Sequence, residues 1–262
     1  MVSTHGGYLE EACLGAALVV RGSPRHVDGV GFDPGYLTAR AKLSPNLAPA
    51  HICNLISGDI PSNACMLLHH LLNRNRDPRL PPGQHETKNF PVLQYGPVPK
   101  IDKATWSLKV GGSVENPVNW TWDQFQTLPM TDMRTDIHCV TNWSKFDTNW
   151  RGVRLDDIIE RVKPKPTAKV LFARCYDDYS TNVPIEDVKG GQAMVATRYE
   201  GSEIERKHGG PARLLVPHLY FWKSAKWLRE LEFLDYDDQG FWETKAYHNY
   251  GDPWKEQRYR TS

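Results

Sequence analysis

The sequence predicts an α+β domain with mixed β-sheets and short helices, on three observations. Strand-like segments outnumber helical ones after residue 80, their spacing is irregular, and the even βαβα alternation of a doubly wound fold is missing. The composition also changes sharply there. Only Tyr8, Phe32 and Tyr36 among the aromatics precede residue 80, and all nine tryptophans follow it. Aromatic side chains dominate core burial, so the core is expected in residues 81 to 262. Residues 1–78 alternate Gly, Pro, Ser and Asn with brief apolar runs such as "MLLHHLLNR". They read as a poorly ordered N-terminal extension to a domain spanning 79–262.

The elements follow in order. "ATWSLKVGGSV" has strand composition and "ENP" supplies a turn. "TWDQFQTLP" reads as a short helix capped by Thr121 and stopped by Pro129. "MRTDIHCVT" is strand-like, with β-branched Ile137, Val140 and Thr141. "VRLDDIIERVKP" places Val153, Ile158, Ile159 and Val162 at helical spacing, and Pro164 ends it. "AKVLFARCY" is a strand, and "AMVATRYEGSEI" is a strand followed by a Gly turn. "ARLLVPH" and "KWLRELEFLD" are the last two strands.

Bulk properties remove several function classes. A formal net charge of +1 gives no reason to expect a nucleic-acid or membrane-surface partner. The longest early apolar run, Ala12 to Val20, is too short to span a bilayer and follows Glu10 and Glu11, which makes a poor signal peptide. No adjacent Arg pair occurs, so a twin-Arg signal is missing. Five cysteines without regular spacing fit a reducing compartment better than a disulfide framework. A cytoplasmic location is expected.

Two features could carry chemistry. Cys139, in "TDIHCVTNW", is by pattern alone most simply a buried thiol. His138 is no ready-made base for it, because neighbouring strand residues point to opposite faces. A Cys-dependent hydrolase would need a His from elsewhere. A zinc site is weakly supported, because Cys139, Cys175 and His208 lack motif spacing. The second feature is "HGGPARLLVPHLYFWKSAKW", His208 to Trp227. Gly209 and Gly210 allow close backbone approach, Arg213 offers a planar donor fork, and Lys223, Ser224 and Lys226 follow on a loop. Such a loop can cradle a phosphate, or be an ordinary hairpin with lysines reaching to water.

Three blocks, "KNFPVLQYGPVP", "HCVTNWS" and "HGGPARLLVPHLYFWKSAKW", in this order and spacing, resemble the sulfite-oxidase-like molybdopterin-dependent oxidoreductases. The likeness covers nearly all of residues 79–262 and is nearest to small, haem-free bacterial members related to the catalytic subunit of methionine sulfoxide reductase. The resemblance implies the sulfite oxidase molybdopterin-binding fold and molybdenum held by one pyranopterin. It makes Cys139 the thiolate ligand, soft like the dithiolene sulfurs beside it. It also implies that His208, Arg213, Ser224, Ala225 and Lys226 hold the pterin phosphate. Asn89, with the backbone around Pro91 and Val92, would cover the cofactor, and Cys175 would contact the pterin.

Two departures stand out. Asn142 occupies a position where relatives often carry a basic residue, which puts sulfite specificity in question. The sequence stops at Ser262 without the immunoglobulin-like domain of sulfite oxidases proper, and CxxCH is absent. The expectation is therefore a monomer without haem, with a separate electron donor or acceptor. Trp143, Tyr176, Tyr179 and Trp222 could wall a substrate pocket, and Arg151 could contact an anion. The expected reaction transfers an oxygen atom to or from a small sulfur-centred or similar substrate, coupled to a two-electron change at the metal. The alternatives are a cofactor-free binding protein on the same scaffold and the Cys-dependent hydrolase.

Overall fold

A computed structural model describes residues 77–261, so the expectations for the N-terminal extension fall outside the described residues except at Asp77 and Pro78. Two mixed sheets carry the domain. The first contains β1 (His85–Glu86), β4 (Thr131–His138), β5 (Trp143–Arg154), β8 (Met194–Tyr199), β9 (Ser202–Glu203) and β10 (Arg213–Leu215). The second, in spatial order, is β3 (Val118–Thr121), β2 (Ser107–Gly112), β11 (Leu228–Leu234), β6 (Val170–Cys175) and β7 (Ser180–Pro184). Each sheet has one parallel pair, β1 with β5 and β2 with β11, among antiparallel neighbours. This is the mixed-sheet α+β architecture read from the sequence.

Local chemistry explains the elements. Thr121 caps α1 (Trp122–Gln126) through a capping box with Gln124, and the helix buries Phe125 against Trp106 and Trp120. Helix α2 (Leu155–Val162) buries Leu155, Ile158 and Val162 and ends at Lys163 in the left-handed region. Asp156 near its start accepts from the amides of Gly190 and Gly191. Val153, expected on this helix, instead lies on β5. The twelve-residue β5 was not legible as a strand, because much of "WSKFDTNWRGVR" is polar and half-exposed. Strands β3 and β7 also lack the hydrophobic runs that would announce them.

Strand β5 is the hub of the first sheet, pairing with β1, β4 and β8. One row of partners crosses it, Thr131–Gly152–Ala196–Arg213, and so ties the position of Arg213 to β5. Gly152 sits at a bulge in this row, where a Cβ would lie 2.1 Å from Val195 O and 2.7 Å from Ala196 Cα. Backbone atoms on a central strand have little room to retreat. Gly152→Ala is therefore expected to destabilise the domain by about 1–3 kcal/mol, read as a lower urea midpoint with an unchanged slope.

Candidate functional site

Strand β4 ends at His138, so Cys139 lies just beyond it in a tight turn. Cys139 N donates to Trp143 O (2.8 Å), Asn142 N donates to Cys139 O (3.1 Å), and Asn142 takes φ 70°. Two distant side chains hold the same turn. Gln84 Nε2 donates to Cys139 O (3.0 Å), and the Arg258 guanidinium donates to Val140 O. Cys139 is 7% exposed, and the hydrogen-bond partner of its Sγ is Thr141 Oγ1 at 3.3 Å. Burial pushes the thiol up, while Thr141 and the Arg258 charge oppose that in part. Such a thiol is protonated at neutral pH until a metal displaces the proton.

Cys139 opens into a cavity of about 270 Å³ shared with Pro91, His208, Arg213, Ser224 and Lys226. Six of the sequence-expected residues thus meet at one cavity, although three chain segments carry them. Phe90 orients His208 by stacking on its ring at 4.0 Å. The Gly209 backbone passes so close to Lys226 that a Cβ there would lie 2.9 Å from the lysine Cβ. Ser224 Oγ accepts from Val216 N (2.9 Å), which fixes the loop.

Neither Arg213 nor Lys226 forms an ion pair among the described residues, and the one carboxylate lining the cavity, Asp177, acts on Lys226 from a distance. The buried Arg213 donates to the carbonyls of His208 (2.8 Å), Ser224 and Leu214, and burial lowers its pKa to about 9. Lys226 Nζ donates to Leu93 O and Lys207 O, both at 2.8 Å, and burial with the Arg213 charge lowers it to about 8. Burial, with the same cations, brings His208 to about 4, so its ring is neutral, and Nδ1 is buried without a partner. A desolvated guanidinium and ammonium with no ion-paired carboxylate among the described residues, beside an unpartnered imidazole nitrogen, suit an anion. A phosphate fits that donor set.

Among the described residues no three His, Cys, Asp or Glu side chains gather as metal ligands, so the zinc reading has no support there. A metal at Cys139 would take its other ligands from a non-protein group, as a dithiolene-bearing pterin provides. The residues present fit that group. The hydrolase reading loses its base, because the partner of Sγ is a threonine hydroxyl. His138 is engaged with Ser144 Oγ at 2.8 Å and held near pKa 4 by burial.

Other expected residues fall off the cavity. Asn89 and Val92 are exposed beside it, with Phe90, Pro91 and Leu93 lining it instead. Ala225 is buried behind it, its carbonyl accepting from Leu214 N at 2.9 Å. Cys175 is wholly buried at the end of β6 and does not reach the cavity. Asn142 is exposed on the turn, and Arg151 on β5 pairs with Asp132 on β4 (2.7 Å), so neither lines the cavity. Of the aromatics, Trp143, Tyr179 and Trp222 line it, and Tyr176 binds Ser107 instead. Lys223 turns inward to a fully buried pair with Glu243 (2.6 Å).

No residue after 242 is singled out by the sequence, yet that segment closes one side of the site. Glu243 Oε1 accepts from Lys223, Trp222 Nε1 (2.9 Å) and Thr181 Oγ1 (2.9 Å). Tyr247 lines the cavity, Gly251 O accepts from Tyr220 N, and Arg258 holds the Cys139 turn.

Two outcomes follow from this charge arrangement. Lys226 is cationic below about pH 8 and loses its proton above it, so pyrophosphate should bind the cofactor-free protein more weakly as pH rises past that point, measured by calorimetry. Glu243→Leu strands Lys223 in the interior and should cost about 3–5 kcal/mol in chemical denaturation.

Comparison with known proteins gives a consistent picture. The family described as the oxidoreductase molybdopterin binding domain matches residues 95–242. An uncharacterized oxidoreductase of Bacillus subtilis is 41% identical over 182 residues, covering 69% of this chain and 92% of that protein. A putative protein-methionine-sulfoxide reductase subunit of Azospira oryzae is 29% identical over 63% of this chain and 64% of its own length. The sulfane dehydrogenase SoxCD of Paracoccus pantotrophus shares the fold, with TM-score 0.50 and 22% identity over 57% of this chain and 42% of that one.

Proposed function

The chain belongs to the oxidoreductase molybdopterin-binding family, as a molybdenum oxidoreductase of the sulfite oxidase type, and from that premise we propose that it transfers an oxygen atom to or from a small sulfur-centred substrate. The observation that carries this reading is a soft thiol and an unpaired cationic wall lining one cavity. When bound, the molybdenum–pyranopterin group supplies the two-electron couple and the oxygen exchange.

The remaining work falls to the protein. Cys139 holds the metal as a thiolate on a turn fixed by Gln84 and Arg258, so ligation needs little rearrangement. The Thr141 hydroxyl donates to that sulfur and draws off part of its charge. Arg213 and Lys226 hold the phosphate tail as charged donors, with Ser224 beside them and neutral His208 as a further donor. Phe90 and Trp143 exclude water from the thiol side. No acid–base dyad is needed, since oxygen transfer at a metal centre asks mainly for orientation. The unit that performs this is residues 79–262, and its electrons come from or go to a separate partner.

Elemental analysis with pterin fluorescence tests the reading. Wild-type protein from a molybdenum-replete host should carry molybdenum stoichiometric with chain. Cys139→Ala should lose the metal and activity while retaining part of the pterin, and Arg213→Met should lose the pterin itself. Full activity in metal-free wild-type protein would end the proposal.

A further inference from the structure

Most aromatic pairs in the described residues meet edge-on or tilted, and ring quadrupoles favour edge-on and offset-stacked contacts over a direct sandwich. Four are near-parallel stacks, and apart from Phe90–His208 they run consecutively, as a ladder through the C-terminal segment. Tyr220 stacks on Trp222 at 5.3 Å and 18°, Trp222 on Tyr247 at 5.1 Å and 19°, and Tyr247 on Tyr259 at 5.4 Å and 12°.

The ladder joins two distinct places. Its inner rungs, Trp222 and Tyr247, line the cavity that Cys139 opens into. Its outer rung, Tyr259, is 52% exposed. Core packing accounts for burying Tyr220 and Trp222, and the offset stacking continues past them to a ring that is half exposed. Facing π-systems in contact replace empty gaps with overlapping orbitals, and electronic coupling decays far more slowly through such contact than through space.

We propose that Trp222, Tyr247 and Tyr259 form the electron route between the cavity and a one-electron carrier that meets the protein at Tyr259, an inference that rests on the molybdenum reading above. Each oxygen transfer moves two electrons, and a one-electron carrier exchanges them singly. In the reducing direction two reduced carriers each give one electron at Tyr259 and leave oxidised. The oxygen departs as water with two protons taken from solvent. In the other direction both flows reverse. No bond on the rings forms or breaks.

The test uses the metal-loaded full chain and two forms of one donor, reduced methyl viologen free or linked to dextran. The free dye enters the cavity mouth, whereas the linked dye meets only the surface. The rate of metal reduction is followed by rapid-freeze paramagnetic resonance, normalised to bound molybdenum. Tyr259→Leu should slow reduction by the linked dye severalfold and leave the free dye unaffected. Tyr259→Phe, which keeps the ring, should restore the rate. Trp254→Leu, which removes an exposed ring off the ladder, should behave as wild type.

A Tyr259→Leu protein reduced at the wild-type rate overturns the proposal. So does a Phe variant as slow as the Leu variant, equal slowing with both dyes, or wild-type protein that the linked dye does not reduce. Protein that binds no molybdenum removes the underlying reading and the route with it. A metal-loaded protein indifferent to Tyr259 removes the route alone.

Discussion

The site is governed by one interaction, a buried guanidinium held by carbonyl dipoles with no carboxylate to neutralise it. Arg213 spans the backbone of His208, Leu214 and Ser224, so it fastens the Gly-Gly-Pro bend to the loop after β10. Dipoles compensate a desolvated charge only partly, which is why burial lowers its pKa. Everything around it answers that shortfall. Lys226 and His208 add donors to the same wall, and Phe90 fixes the imidazole plane.

Lys223 and Lys226 sit three residues apart on one loop and have opposite roles. Lys223 points away from the cavity, where Glu243 and the Asn182 and Asn249 oxygens surround its ammonium. Lys226 points toward it and meets only carbonyls. The buried pair therefore does two things. It orients the loop so that a single lysine faces the ligand, and it anchors the C-terminal segment that carries Tyr247 and Arg258 to the site. Breaking it would disturb charge and shape together.

Much of this was legible in the residues, for stated reasons. Strands with apolar runs, such as β6 and β11, announce themselves, and Thr121 with Gln124 is a capping box readable at sight. The cavity residues in the two blocks around Cys139 and His208 were marked by residue type in a familiar order. What escaped was set by tertiary contact. Half-exposed β5 looks polar, and nothing in "ETKAYHNYGDPWKEQRY" tells that Glu243 and Arg258 reach back to Lys223 and Val140. The side chains of Asn89, Val92 and Asn142 stand exposed beside the cavity, because a residue or two of turn geometry decides whether a side chain faces the cavity or water.

The row from Thr131 through Gly152 and Ala196 to Arg213 has a mechanical meaning. Cys139 leaves the end of β4, and Arg213 stands on β10, with β5 and β8 between them. Strands in a hydrogen-bonded sheet keep spacings of about 4.8 Å and yield little to thermal motion. The row meets β4 at Thr131, at the far end of the strand from Cys139, so the sheet sets the frame and the braced turn held by Gln84 and Arg258 sets the thiol on it. Sheet and braced turn together act as a caliper: a ligand gripped at both ends must match its jaws, and one with a shortened tail would be held at a single end.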